Sequence, residues 1–400
     1  MATDSASSSA LEPSAATRGL SRPTRVILIQ PSLGKYRVPV FRELARRPNV
    51  RLRVVHGAGL GVPNAAADGF EAQEQKIFRV RVAGHPFYWQ KAHLRELRAD
   101  VDVMVAAWDV HYLSLLPALW RARRRGIGTV LWGHGYSKND SPARRRLRNW
   151  LGNRADALLL YNQLGRQKAI EGGIAAQRVF VAPNTIDTSE AAAARQAWLS
   201  DPGRLTAWRR EKGLEGPVLL HISRYSPQRR IEMLLDAAAR LRERAPALRV
   251  VLIGQGYDQP PVSGEIARRN LTPMVLTTGP IYQEDELAPY FLCASALAFP
   301  SHIGLSLHHA FAYGLPVVTH GDRDGQAPEL EALIDGENGL LYEKGSVEDF
   351  TAKLESLLLD DALRKRLGAA ALEAVRTKWS LRAMVDGMVE AIEYARSRRE

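Results

Sequence analysis

The stretch GPVLLHISRYSPQRRIEMLLDAAARLRERAPALRVVLIGQG, residues 216–256, decides the fold. Val218, Leu219, Leu220 and Ile222 form an apolar run of the length of a buried strand. A polar loop holding Pro227 follows. Then Ile231, Leu234, Leu235, Ala238 and Leu241 recur at helical spacing. Val250 to Ile253 make a second strand run, closed by Gly254. Strand, helix and strand in that order form the unit that builds a parallel sheet with helices packed on it.

The alternation continues in both directions. Downstream come MVLTTG, DELAPYFLCA, ALAFPS, the short apolar helix IGLSLHHAFAYG and the strand LPVVTH. Upstream the pattern breaks at APNTIDTSE (residues 182–190), and a polar helical stretch follows it. Before the break lies a second series: TRVILIQPSLG, YRVPVFRELARR, VRLRVVHG, DVDVMVAAWD, LSLLPALWRARRR, GIGTVLWGHG, ADALLLYN and QRVFVAP. The expectation is an α/β protein of two Rossmann-like, doubly wound parallel-sheet domains. They cover residues 24–186 and 187–380, with the boundary near Asp187. Residues 1–23 are expected to be a disordered tail. Ser380 is expected to cap a final helix that runs through residues 381–400 and crosses back to the N-terminal domain.

Composition excludes several classes. The chain has 400 residues, 46% hydrophobic and 24% charged, which suits a globular protein of more than one core. Its single cysteine, Cys293, sits in an apolar run and cannot form an intramolecular disulfide. No apolar run approaches the ~18 residues of a membrane span, so a cytoplasmic location is expected. The net charge is +12. Part of the excess is clumped in RARRRG and in SPARRRLRNWLGNR, which begins at Ser141 and ends at Arg154. Arginines beside Leu147, Trp150 and Leu151 suit an anionic membrane surface; a solvated basic face is the alternative. A nucleic-acid partner would rest on charge alone, and no known nucleic-acid module is present.

Ligands of doubly wound sheets bind where the strands end, so the loops after strands carry the chemistry. Gly304 leads into a helix whose first N–H groups lack intrahelical partners and form an anion site. Arg224 follows a strand, with Arg229 and Arg230 at the mouth of the next helix. Two guanidiniums in one loop repel unless a diphosphate lies between them and accepts their hydrogen bonds.

ISRYSPQRRIEMLLDAAARL, VLIGQGYDQ, GPIYQEDELAPYFLCASALAFPS, IGLSLHHAFAYGLPVVTHGD and PELEALIDGENGLLYEKGSVEDFTAKL occur in the order and spacing of one known family. Together they resemble the donor half of the family-4 retaining glycosyltransferases, which have the two-domain GT-B fold. SLGKYRVPVFREL, WGHG and PNTID extend the resemblance, more weakly, over the N-terminal half. It implies that Arg224 and Arg229 hold the donor diphosphate, with the backbone of Gly304 and Leu305. It implies that Gly34 lets the N-terminal domain approach the phosphates, that His134 lies near the transferred sugar, and that Tyr282 flanks the nucleobase.

The chain also departs from that family. Two glutamates usually bracket the glycine loop; here Ser301 and His309 occupy their positions, which marks a variant subfamily. His309 can still hydrogen-bond a ribose hydroxyl, and Glu329 is the candidate to replace a lost carboxylate. His308, one residue off that face, is expected to pack. The pairs Asp100/Asp102 and Asp322/Asp324 look like a metal motif, but Asp100 and Asp102 would alternate faces of a strand. No metal and no cofactor is expected, the arginines and helix amides neutralising the donor instead.

The resulting expectation is a metal-independent hexosyltransferase. It moves sugar from a nucleotide diphosphosugar to a hydroxyl acceptor with retention, in polysaccharide or glycolipid assembly. The basic segment and HPFYWQKAHLREL (residues 85–97) suggest a lipid-linked sugar acceptor at the inner membrane face. The alternatives are a sugar-nucleotide epimerase of the same fold and a non-catalytic donor-binding scaffold.

Overall fold

The computed structural model describes residues 22–58, 63–82, 84–136 and 140–400. The tail expected over residues 1–23 lies outside the described residues up to position 21.

The first half comprises β1 (Thr24–Gln30), α1 (Val38–Ala45), β2 (Val50–Gly57), β3 (Glu71–Gln75), β4 (Ile77–Val82), β5 (His85–Gln90) and α2 (Ala92–Arg95). It continues with β6 (Val103–Ala107), α3 (Leu115–Arg124), β7 (Gly128–Gly133), α4 (Pro142–Gly152), β8 (Ala157–Leu160), α5 (Gln163–Glu171) and β9 (Val179–Val181). The second half opens with α6 (Ser189–Leu199) and α7 (Pro202–Glu211). Then come β10 (Val218–Ile222), α8 (Ile231–Leu241), β11 (Arg249–Ile253), α9 (Val262–Arg268), β12 (Val275–Gly279) and α10 (Glu284–Cys293). The chain ends with β13 (Ala296–Phe299), α11 (Ser306–Ala312), β14 (Val317–His320), β15 (Gly339–Tyr342), α12 (Val347–Leu359), α13 (Asp361–Arg376) and α14 (Leu381–Ser397).

These elements form two parallel sheets, ordered β3-β2-β1-β6-β7-β8-β9 and β12-β11-β10-β13-β14-β15. Strands such as Ile27-Leu28-Ile29 and Val250-Val251-Leu252 are continuous apolar runs because helices cover both faces of each sheet. Each sheet accordingly has a hydrophobic layer on either side. The polar helical stretch after residue 190 is two helices, broken where Asp201 caps Pro202 at the start of α7. The hairpin β4–β5 is an addition that the alternation did not reveal.

Ser380 does cap α14: its hydroxyl accepts from the Ala383 N–H at 3.1 Å. The apolar stripe of α14, including Met384, Met388, Ala391 and Ala395, packs on the first sheet although the helix follows the second. Gly387 permits the approach, since a Cβ there would overlap the Val181 carbonyl oxygen.

Candidate active site

In each sheet the chain reverses its direction of growth once, between β1 and β6 and between β10 and β13. Side loops diverge at such a point and leave a crevice at the carboxyl ends. The loop after β10 carries Arg224 and Arg229, and the loop after β13 carries Ser301, Gly304 and Leu305. Because β10 and β13 are hydrogen-bonded neighbours, topology alone brings these residues to one edge.

Arg224 is exposed and Arg229 is half-buried. Arg229 donates from Nη1 to the His302 carbonyl at 3.1 Å and lies over the Phe299 ring at 5.6 Å. Its buried Nε has no partner among the described residues. Burial lowers the Arg229 pKa and the nearby Arg224 charge lowers it further, so an anion placed between the two would relieve both effects. The backbone N–H groups of Gly304 and Leu305 likewise have no partner among the described residues. A Cβ on Gly304 would meet nothing within 4 Å, so the loop presents bare amides to open space. Two cationic side chains and unpaired amides therefore share one sheet edge, which is the chemistry of diphosphate binding.

Buried polar chains hold these loops in place. Gln326 accepts from the Ile303 N–H at 2.8 Å and donates to Thr319 Oγ1 at 3.0 Å. Thr319 Oγ1 in turn donates to the Ser301 carbonyl at 3.0 Å. The Ser301 hydroxyl itself is buried without a partner among the described residues. Beneath Arg229, His221 Nδ1 meets the Ala298 carbonyl at 2.8 Å and must donate to it. Nε2 is then the acceptor for Ser223 Oγ at 3.0 Å, and Ser223 Oγ accepts from Tyr257 at 2.6 Å. The end of β11 belongs to the same junction: at Gly254 (φ +140°) a Cβ would overlap the Ser223 carbonyl.

Across the crevice, Gly34 is buried with an ordinary φ of −67°, and the Tyr36 ring fills the space beside it. Arg37 is buried, donates to the Tyr161 hydroxyl at 2.8 Å and lies 4.8 Å from the Trp132 ring centre. His134 packs edge-on against Tyr161 at 4.6 Å. His134 is exposed and lines the cleft, yet protein crowds around its ring. That crowding, with the Arg37 charge second, pushes its pKa down to about 4. Glu329 comes from the second half, is buried, and accepts from Asn184 Nδ2. Its other oxygen has no partner among the described residues, and burial raises its pKa. A cleft of about 760 Å³ lies between the two halves, lined by His134, Tyr136, Lys168, Arg323 and Gln326 among others; Arg224, Arg229, Gly304 and Leu305 do not line it. Lys168 and Asp324 bridge it at 2.6 Å.

His309 has a partner that the sequence did not reveal. Its Nε2 is 2.7 Å from Glu284 Oε1, which also accepts from the Tyr313 hydroxyl at 2.5 Å. A carboxylate thus stands beside the histidine, reached from α10 rather than α11. His308 is fully buried and stacks on Trp379 at 5.6 Å. Tyr282 is 80% exposed in the loop after β12. Three of the four aspartates are ion-paired: Asp102 binds Arg22 and Arg25, Asp322 binds Lys344, and Asp324 binds Lys168.

Comparison with known proteins identifies the family and the fold. Residues 177–374 match the family described as glycosyl transferases group 1, and residues 30–190 match glycosyltransferase family 4. The chain belongs to this glycosyltransferase family. A 196-residue segment is 32% identical to D-inositol 3-phosphate glycosyltransferase of Kribbella flavida, covering 46% of this chain and 45% of that protein. The chain therefore spans under half the length of that relative. Over 300 residues it is 25% identical to the GDP-mannose-dependent alpha-(1-6)-phosphatidylinositol monomannoside mannosyltransferase of Mycolicibacterium smegmatis, covering 72% and 75% of the two chains. The fold matches Anabaena HepE, solved with UDP, at a TM-score of 0.69 and 16% identity over 92% of this chain and all of that one. It matches a glycosyltransferase of Rickettsia africae at 0.70 and 13% identity over 93% and 98%. These structures share the GT-B arrangement of two parallel-sheet α/β domains.

Ser301 and His309, which the resemblance sets at the positions of two glutamates, have these surroundings. Ser301 places an unpaired hydroxyl at the first. At the second, His309 is backed by Glu284.

Proposed function

We propose that this glycosyltransferase moves a hexosyl group from a nucleotide diphosphosugar to a hydroxyl acceptor with retained configuration, and that it needs no metal. Residues 24–186, completed by 381–400, would bind acceptor, and residues 187–380 would bind donor. The observation that carries the reading is the meeting of Arg224, Arg229 and the Gly304 and Leu305 amides at the β10/β13 edge. Departure of the nucleoside diphosphate is the hard step, and preorganised positive groups on the leaving phosphates stabilise its transition state.

His134, neutral at pH 7, contacts the transferred sugar as a hydrogen-bonding group rather than a cation. Glu329 and Ser301 offer unpaired buried oxygens to the sugar hydroxyls. His309, oriented by Glu284, addresses the ribose, and the exposed Tyr282 ring stacks on the base. No side chain is assigned as a nucleophile; a donor phosphate oxygen assists deprotonation of the acceptor. We place the reaction in glycolipid or polysaccharide assembly on the cytoplasmic side of a membrane, with a lipid-linked sugar as acceptor and the basic helix α4 toward the lipid. UDP- and GDP-sugars are the first donors to test, since HepE is solved with UDP and one relative uses GDP-mannose.

The test is a thermal-shift screen of UDP-, GDP- and ADP-sugars, followed by transfer assays with the stabilising donor. Ligand at 100 times its Kd adds about 2.7 kcal/mol. An α-donor should give an α-linked product by NMR. Inverted product would refute retention, and no stabilisation by any nucleotide sugar would refute the donor site.

A further inference from the structure

At the amino edge of the first sheet, opposite the cleft, a pocket of about 180 Å³ is lined by Arg123, Arg154, Arg178, Arg398 and Arg399, with Asp156 as its single acidic side chain. Arg399 pairs with Asp156 at 2.7 Å. Arg178 donates to main-chain carbonyls of residues 153, 155 and 156. Arg123, Arg154 and Arg398 have no carboxylate partner among the described residues. The guanidiniums gathered there by α3, α4, β9 and α14 outnumber the one carboxylate and leave a net positive pocket that favours an anion.

The surface leading to this pocket is apolar as well as basic. Right-handed crossovers from β6 to β7 and from β7 to β8 put α3 and α4 on the same face of the sheet, where Leu119 and Leu151 share one core. Their outer stripes match. Leu116 and Trp120 stand exposed on α3, and Leu147 and Trp150 on α4. Each tryptophan carries an arginine over its ring, Arg124 at 3.8 Å and Arg154 at 3.3 Å. Exposed tryptophans beside cations suit the boundary between lipid headgroups and acyl chains. No helix among the described residues is long and apolar enough to cross a membrane.

We infer that the five-arginine pocket is a binding site for the phosphate of an anionic phospholipid, and that the α3–α4 face lies on the bilayer around it. The site rests on the membrane reading of α4 but is separate from the donor site, which occupies the opposite edge of the sheets.

Flotation of the full chain with vesicles tests it, using 30% phosphatidylglycerol in phosphatidylcholine against phosphatidylcholine alone, at low salt. Wild type should float with the anionic vesicles only. The double variant Arg123→Glu/Arg398→Glu should bind them at least tenfold more weakly. Arg210→Glu/Arg242→Glu, which removes the same charge from the second half, should bind within twofold of wild type. Failure of wild type to float overturns the membrane reading itself. Equal loss in both double variants, or none in the first, overturns the pocket alone. Inorganic phosphate and glycerol phosphate separate lipid from free anion: stabilisation of wild type by these at submillimolar concentration, without flotation, contradicts the lipid assignment. Trp120→Ser/Trp150→Ser should also lose binding while its circular dichroism stays that of wild type.

Discussion

Arg229 Nη1 donates to the carbonyl oxygen of His302 at 3.1 Å, and this bond ties the loop after β10 to the loop after β13. Arg229 is thereby aimed before any ligand arrives, while Arg224 remains exposed and free to close on one. The two arginines should differ on mutation. Arg224→Ala should leave the melting temperature unchanged and lower turnover by roughly 2–4 kcal/mol of barrier, about 30- to 1,000-fold. Arg229→Ala should lose activity and also some stability. Wild-type turnover in Arg224→Ala would remove it from the site.

Glu329 has one oxygen on Asn184 and the other unpartnered, in surroundings that favour its protonated form. Glutamine is nearly isosteric with that form. Glu329→Gln should therefore fold with a melting temperature close to wild type and lower kcat/KM for donor by tenfold or more. An unchanged kcat/KM would make Glu329 a structural tie between the two halves.

Removing Glu284 leaves His309 and the Tyr313 hydroxyl without their common acceptor. Glu284→Ala should cost about 1–3 kcal/mol of stability, the usual penalty for stranding buried partners. It should also raise the donor KM more than it lowers kcat. A normal donor KM would separate the Glu284–His309 pair from the nucleotide.

Burial pushes His93, His221 and His308 each down to about 4. Unfolded histidines protonate near 6.5, so between pH 6.5 and 4 the unfolded chain binds more protons than the folded one. Stability is then full above pH 7 and falls as pH drops through that window, by at most about 3 kcal/mol per ring. Urea midpoints should be clearly lower at pH 5 than at pH 7.5. A flat profile would mean these rings are already charged or accessible.

The legible part of the fold was the part that physics makes repetitive. Parallel strands covered on both faces must be apolar throughout, so Ile27-Leu28-Ile29 and Val250-Val251-Leu252 announce themselves. The edge strand β3, EAQEQ, has no such run because most of its side chains are exposed. The hairpin β4–β5 turns Phe78, Val80 and Trp89 outward, so its apolar residues mark a surface instead of a core.

At the site, loops after adjacent strands could be located because their position follows from strand order. Glu284 lies 25 residues before His309 and meets it only because α10 packs beside α11. Arg37, Tyr161, Asn184 and Gln326 were missed for the same reason. Each is an ordinary residue in sequence and acquires its place from contacts between distant segments.

The central claim is that Arg224, Arg229 and the Gly304 and Leu305 amides grip a diphosphate. Calorimetric titration with the nucleoside diphosphate and monophosphate of the preferred base measures it directly. Wild type should bind the diphosphate at least 100-fold more tightly, and Arg224→Ala and Arg229→Ala should each erase most of that difference while leaving monophosphate affinity nearly unchanged. Equal preference for diphosphate in wild type and both variants would contradict the account.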